Sequence, residues 1–168
     1  MHTLYLASVW LHILAAMTWI GGMLFLVTVL VPLLRTPGMR DRAMELFHHV
    51  GLRFRVVGWS ALGTLVLTGT ANVLYRGFTL GQLFTGEAYE GSWGHALAGK
   101  LLLVGLIVVS SAVHDFYIGP KATRLAQEGA PADQRERLRR VASWMGRMTL
   151  LLALAVVAIA VTLVRGTP

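Results

Sequence analysis

Three ionisable side chains interrupt stretches that are otherwise apolar: His12, Lys100 and His114. His95 lies near the start of the stretch that holds Lys100. A Lys at the centre of a membrane helix costs about 2.5–3.5 kcal/mol on insertion scales, so such residues are candidates for function. Neutral imidazole ligates haem iron and copper. An ammonium at the same depth can pair with a haem propionate, act as a weak ligand or relay a proton. Lys100 is therefore the candidate catalytic residue, and His12, His95 and His114 are the candidate metal ligands.

Helical spacing groups these residues further. His12 shares a stripe with Tyr5, Ser8, Ala15, Trp19 and Gly22. The small residues on that stripe would let a flat group or another helix come close. Lys100 shares its face with Trp93, Ala96, Val104, Ile107, Ser111 and His114. His12 and Lys100 each lie roughly 10–12 Å along their helices from the same membrane face, and His114 lies roughly 21 Å deeper. Gly69, Asn72 and Arg76 form another stripe near the outer side; an Asn in lipid needs a partner, and Arg76 suits a carboxylate or propionate. The expected cofactor site thus comprises His12, Lys100, Trp19, Asn72, Arg76 and His95. A second, inner site would join His114 to His48 or His49. Porphyrin suits this arrangement better than a tight copper cage, because Met17 and Met23 lie off the face of His12 and no His-x-His motif occurs. The expected cofactor is haem b, with copper as the alternative.

Four apolar stretches would carry these groups: about residues 4–34, 56–75, 93–118 and 141–164. Each has the roughly 20 residues needed to cross a bilayer core. Only a helix satisfies its own backbone there, which predicts an all-α fold, an antiparallel four-helix membrane bundle in a single domain. The first stretch starts without a basic residue and is too long for a signal peptide. The 168 residues are 55% hydrophobic and 14% charged, against about 25% charged in soluble domains. Absence of cysteine excludes disulfides, thiol nucleophiles, iron–sulfur clusters and covalently attached c-type haem.

The net charge of +7 is a topology signal. Arg35, Arg40, Arg42, Arg53 and Arg55 lie between the first two spans. Lys121, Arg124, Arg135, Arg137, Arg139 and Arg140 lie between the last two, with Arg147 in the first turns of the fourth. The other side has Arg76 and Arg165. Cytoplasmic loops carry the excess of Lys and Arg, so both termini are expected on the outer, periplasmic side of a bacterial inner membrane. The basic balance therefore does not imply nucleic acid. Pro37-Gly38 should close the first helix, Gly119-Pro120 should break the third, and Gly129-Ala130-Pro131 should turn before a helix opened by Asp133 and Glu136. Arg40 to Phe54 reads as an amphipathic lead-in at the inner surface. No short-period repeat is evident.

Leu11-His12-Ile13-Leu14, with Thr18-Trp19-Ile20-Gly21-Gly22-Met23-Leu24-Phe25, resembles the opening of the copper-resistance protein D family and of the related HemJ-type protoporphyrinogen oxidases. Leu67-Thr68-Gly69 resembles the end of their next helix, and Lys100-Leu101-Leu102-Leu103-Val104 their later one. The HemJ-type resemblance implies a haem-b protein that oxidises protoporphyrinogen IX, with its histidine and lysine at His12 and Lys100. Leu24-Phe25-Leu26-Val27-Thr28 stands where that type is aromatic-rich with Pro-Arg, and the last span lacks its Asn-Glu-Pro opening and closing Lys-Pro. The chain is thus more similar to the copper-resistance type.

Three functions follow in order. The first is a b-type haem protein with a redox role, either electron transfer or a haem-dependent oxidoreductase acting on a membrane-borne substrate. Its partners would be the lipid bilayer, a redox partner and a further copy of the chain. The second is copper import or tolerance. The third is a non-catalytic membrane subunit.

Overall fold

The computed structural model describes residues 2–165, apart from the side chains of residues 40–42, 44, 126 and 165. The charged ends of Arg40, Arg42 and Arg165, and the closing Gly166-Thr167-Pro168, thus lie outside the described residues.

Helix α1 (His2–Phe25) runs through a π-helical turn (Leu26–Leu30) into α2 (Val31–Leu34). A 3-10 turn (Pro37–Met39) leads into α3 (Arg40–Tyr75). The short α4 (Leu80–Thr85) and a 3-10 turn (Glu87–Tyr89) precede α5 (Gly91–Val113). A second π-helical turn (His114–Ile118) joins α5 to α6 (Gly119–Gln127), and α7 (Ala132–Arg165) follows. Among the described residues there is no strand. The all-α class is as expected. Four continuous apolar runs of 31 to 35 residues are long enough to span a membrane: His2–Leu34, Glu45–Tyr75, Gly91–Leu125 and Ala132–Val164.

These runs are longer than the sequence suggested, for two local reasons. The lead-in before the second span is not a separate element; α3 is one unbroken helix from Arg40. Gly119-Pro120 does not break the third helix either. Proline lacks an N–H and crowds the carbonyl four residues back. Here the turn ahead of it widens, and the Gly119 N–H donates to the His114 carbonyl five residues back. The same device precedes Pro32, where the Val31 N–H donates to the Leu26 carbonyl. Widened turns of this kind absorb a local conflict without ending the helix.

Backbone contacts divide the chain into two units, one reaching Ala98 and one from Gly99 to Arg165. The first unit is a hairpin of α1 against α3, and its contacts give the register. Tyr5 meets Tyr75 edge to face at 5.7 Å. His12 meets Thr68, Trp19 packs on Gly58, and Phe54 fills the space beside Gly22. Rising numbers on α1 meet falling numbers on α3, so the helices are antiparallel. Ala15, Trp19, Ala61 and Leu62 are buried along this seam.

In the second unit the Ser110 and Thr149 hydroxyls hydrogen-bond at 2.9 Å, joining α5 to α7. Thr149 is buried with Ile107, Leu150 and Ala153. Gly129 takes a left-handed φ of 67°. The Ala130 N–H then donates to the Leu125 carbonyl, which closes α6 and makes the turn expected there.

Large apolar side chains point outward along both units. Trp10, Leu67, Leu102 and Val109 are each more than 60% exposed. Water would penalise such surface, whereas lipid does not. Helix length and outward apolar faces together describe a multi-pass membrane protein.

Candidate functional site

The hydrogen bonds around His12 assign its protons. The Thr68 hydroxyl donates to the Thr64 carbonyl one turn earlier on α3, at 2.6 Å. A hydroxyl has one proton, so Thr68 Oγ1 can only accept from its second neighbour. That neighbour is His12 Nδ1, 2.8 Å away. The neutral His12 ring therefore carries its proton on Nδ1 and its basic lone pair on Nε2. Histidines that bind metals are typically held this way, by a hydrogen bond from the other ring nitrogen. The Ser8 hydroxyl adds a longer bond to the Thr68 carbonyl, 3.4 Å.

Gly69 lets α3 approach the imidazole. A Cβ there would stand 3.3 Å from His12 Cε1, tighter than ordinary contact. The ring is thus wedged between a hydroxyl and bare backbone. Thr64 and Thr68 were not singled out in the sequence, although Thr68 stands in Leu67-Thr68-Gly69. The available signal was two threonines one turn apart, followed by glycine, in a span facing a histidine.

Asn72 lies one turn up α3 from Gly69, and Arg76 is the residue that follows the helix. Oδ1 of Asn72 is buried with no hydrogen-bond partner. The Arg76 guanidinium lies over the Trp93 ring, 5.4 Å from its centroid. Phe78 also stacks on Trp93, nearly parallel, with centroids 5.1 Å apart. The indole Nε1 of Trp93 is a second buried polar atom without a partner. The sequence placed Trp93 on the Lys100 face but did not connect it to Arg76.

Trp19 is 5% exposed and turns its indole edge to Gly58, 3.6 Å from where a Cβ would be. Gly22 gives way to the Phe54 ring. The small-residue positions of α1 and α3 therefore accommodate aromatic rings of the same hairpin.

His95 is exposed in the first unit, and Lys100 is half-buried in the second. His114 Nδ1 and Asp115 Oδ1 are 2.9 Å apart within the second π-helical turn. His48 and His49 are exposed in the first unit, with ring centroids 5.9 Å apart. The Nδ1 of His49 donates to the Glu45 carbonyl. Among the described residues, no three His, Cys, Asp or Glu side chains form a group able to hold a metal ion.

The sequence model of the family described as copper resistance protein D matches residues 48–163. This stretch contains Thr68, Gly69, Asn72, Arg76, His95, Lys100 and His114, while His12 precedes it. An uncharacterized protein of Aquifex aeolicus (strain VF5) is 30% identical over 158 residues, covering 93% of this chain and 92% of that protein. No solved structure matches. The match falls on the copper-resistance half of the resemblance and not on its HemJ-type half; the chain belongs to the copper resistance protein D family.

Proposed function

We propose that this membrane protein handles copper, for uptake or tolerance, and that His12 receives the ion. The family supports copper over the haem-b reading. The observation that carries the residue assignment is the donation from His12 Nδ1 to Thr68, which leaves Nε2 as the basic nitrogen. Imidazole nitrogen is a good copper ligand, and a fixed tautomer lowers the cost of arranging it. Copper is the cargo here, so the site need bind it only well enough to receive and release it.

The experiment compares copper-dependent growth and cell-associated copper for wild type, His12→Ala and His12→Gln at equal membrane abundance. Loss of the copper response in both variants is the expected result. A normal response in both rejects His12 as the receiving residue. An optical spectrum of the purified, haem-supplied protein addresses the rival reading; a Soret band that disappears in His12→Ala would return haem to first place.

A further inference from the structure

The end of the first unit where α1 begins and α3 finishes carries a second cluster, separate from the copper reading. Arg76 is the residue after α3, at the limit of the Glu45–Tyr75 span. Trp93 sits in the first turn of α5, at the start of the Gly91–Leu125 span. Both therefore lie at the level where a span meets the headgroups. The Phe78 ring stacks on the Trp93 indole, and the Arg76 guanidinium also lies over that ring. Stacking uses the flat face of a guanidinium and leaves its N–H edge available to an anion. The Nε1 of Trp93 itself is buried without a partner, as is Oδ1 of Asn72, which stands one helical turn before Arg76.

A buried donor or acceptor left unpaired is costly, and two at this end of the hairpin call for an occupant. The groups specify its chemistry. The indole N–H and the guanidinium are donors and require an acidic oxygen. The Asn72 carbonyl oxygen is an acceptor and requires a hydroxyl or amine proton. A phosphodiester with neighbouring hydroxyls meets both demands, and a glycerol phosphate headgroup is one. The Arg76 side chain is exposed, so its guanidinium is within reach of a phosphate in the headgroup layer.

We propose that Arg76, Trp93 and Asn72 form a binding site for a phosphate group, supplied at this depth by a hydroxyl-bearing anionic lipid headgroup.

Native mass spectrometry of the full chain in detergent, titrated with phosphatidylglycerol, phosphatidylcholine or inorganic phosphate, tests this. Wild type should retain one phosphatidylglycerol at least tenfold more tightly than phosphatidylcholine. Arg76→Gln should remove that preference. Trp93→Phe keeps an aromatic ring for stacking and removes the N–H together with part of the indole, so it should weaken retention several-fold while the protein stays folded. Competition by inorganic phosphate at comparable concentration would assign the site to the free ion, and its failure to compete assigns it to the lipid. Equal retention of phosphatidylglycerol by wild type, Arg76→Gln and Trp93→Phe, with no inorganic phosphate bound, overturns the proposal.

Discussion

At His12 the decisive partner is a hydroxyl on another helix. The sequence showed that an imidazole sat in a span and that its stripe was lined by small residues. It could not show which nitrogen carried the proton, because that depends on Thr68 meeting α1 across 56 positions of chain. Thr68→Val keeps the shape of the side chain and removes the acceptor. The Nδ1–H then loses its partner, and the tautomer is no longer held. Hydrogen bonds between membrane helices average about 0.6 kcal/mol, with larger cases near 2, so the hairpin should survive. Copper affinity should fall about 10–100-fold, as when partners of metal-bound histidines are removed. Thr68→Ser retains the hydroxyl and should restore most of it. Equilibrium copper binding on the purified protein measures all three; equal affinity in Thr68→Val and wild type would sever Thr68 from the site.

Among the elements, the antiparallel pair of α1 and α3 rests on small-to-large exchange. Phe54 fills the space beside Gly22, and Trp19 lies on Gly58. The spans and their glycines were legible from hydropathy and residue type. Which ring would occupy each glycine was not, because helical spacing gives the face of one helix and leaves the register between two undetermined. Gly119-Pro120 misleads for a related reason. Pro120 reads as a stop, but widening one turn costs less than breaking a helix already committed to spanning. Gly22→Val would drive a branched side chain into the Phe54 ring and should destabilise the hairpin by about 1–3 kcal/mol. Phe54→Leu in the same chain should return part of the loss, since the smaller side chain vacates the overlap. Thermal unfolding in detergent of the two single variants and the double variant reads the coupling, and strictly additive losses would place the residues out of contact.

The whole molecule repeats its punctuation. Each unit has a long apolar helix, a π-helical turn, a proline in the second position after it, and a return helix. His12 and Lys100 each stand fourteen residues ahead of the π-helical turn in their own unit. Lys100 is thus the second unit's residue at the His12 position, a correspondence that a search for short-period repeats misses because the two return helices begin after connections of different length. Lys100→Met preserves the length and apolar stem of the side chain while removing its charge. If the position is functional in both units, that variant should lose the copper response measured for His12→Ala while keeping its abundance in the membrane; a full response would restrict function to the first unit.

The ends of the molecule make the last prediction. Twelve of its fifteen basic residues lie in or beside the two connections between paired spans. Several are engaged, Arg124 with Glu128 at 2.7 Å, and Arg139 and Arg140 with Glu136 at 2.7 and 3.0 Å. Such pairing does not weaken the topological argument, because orientation follows the count of Lys and Arg near the span ends and acidic residues contribute little. The connection of the second unit is also the richer, so opposing insertion of the two hairpins would require one basic cluster to cross the bilayer. Both connections should therefore face the cytoplasm and both chain ends the opposite side. A fluorescent reporter that matures only in the cytoplasm should be dark when joined after the last helix and bright when inserted at Gly129-Ala130, where the left-handed turn already projects from the helices. Replacing Arg135, Arg137, Arg139 and Arg140 with glutamine should raise the dark fraction of the inserted reporter, because those residues carry more than half of the cationic bias of that connection. A bright C-terminal fusion of the unaltered chain would reverse the assignment and move His12 to the cytoplasmic half of its span.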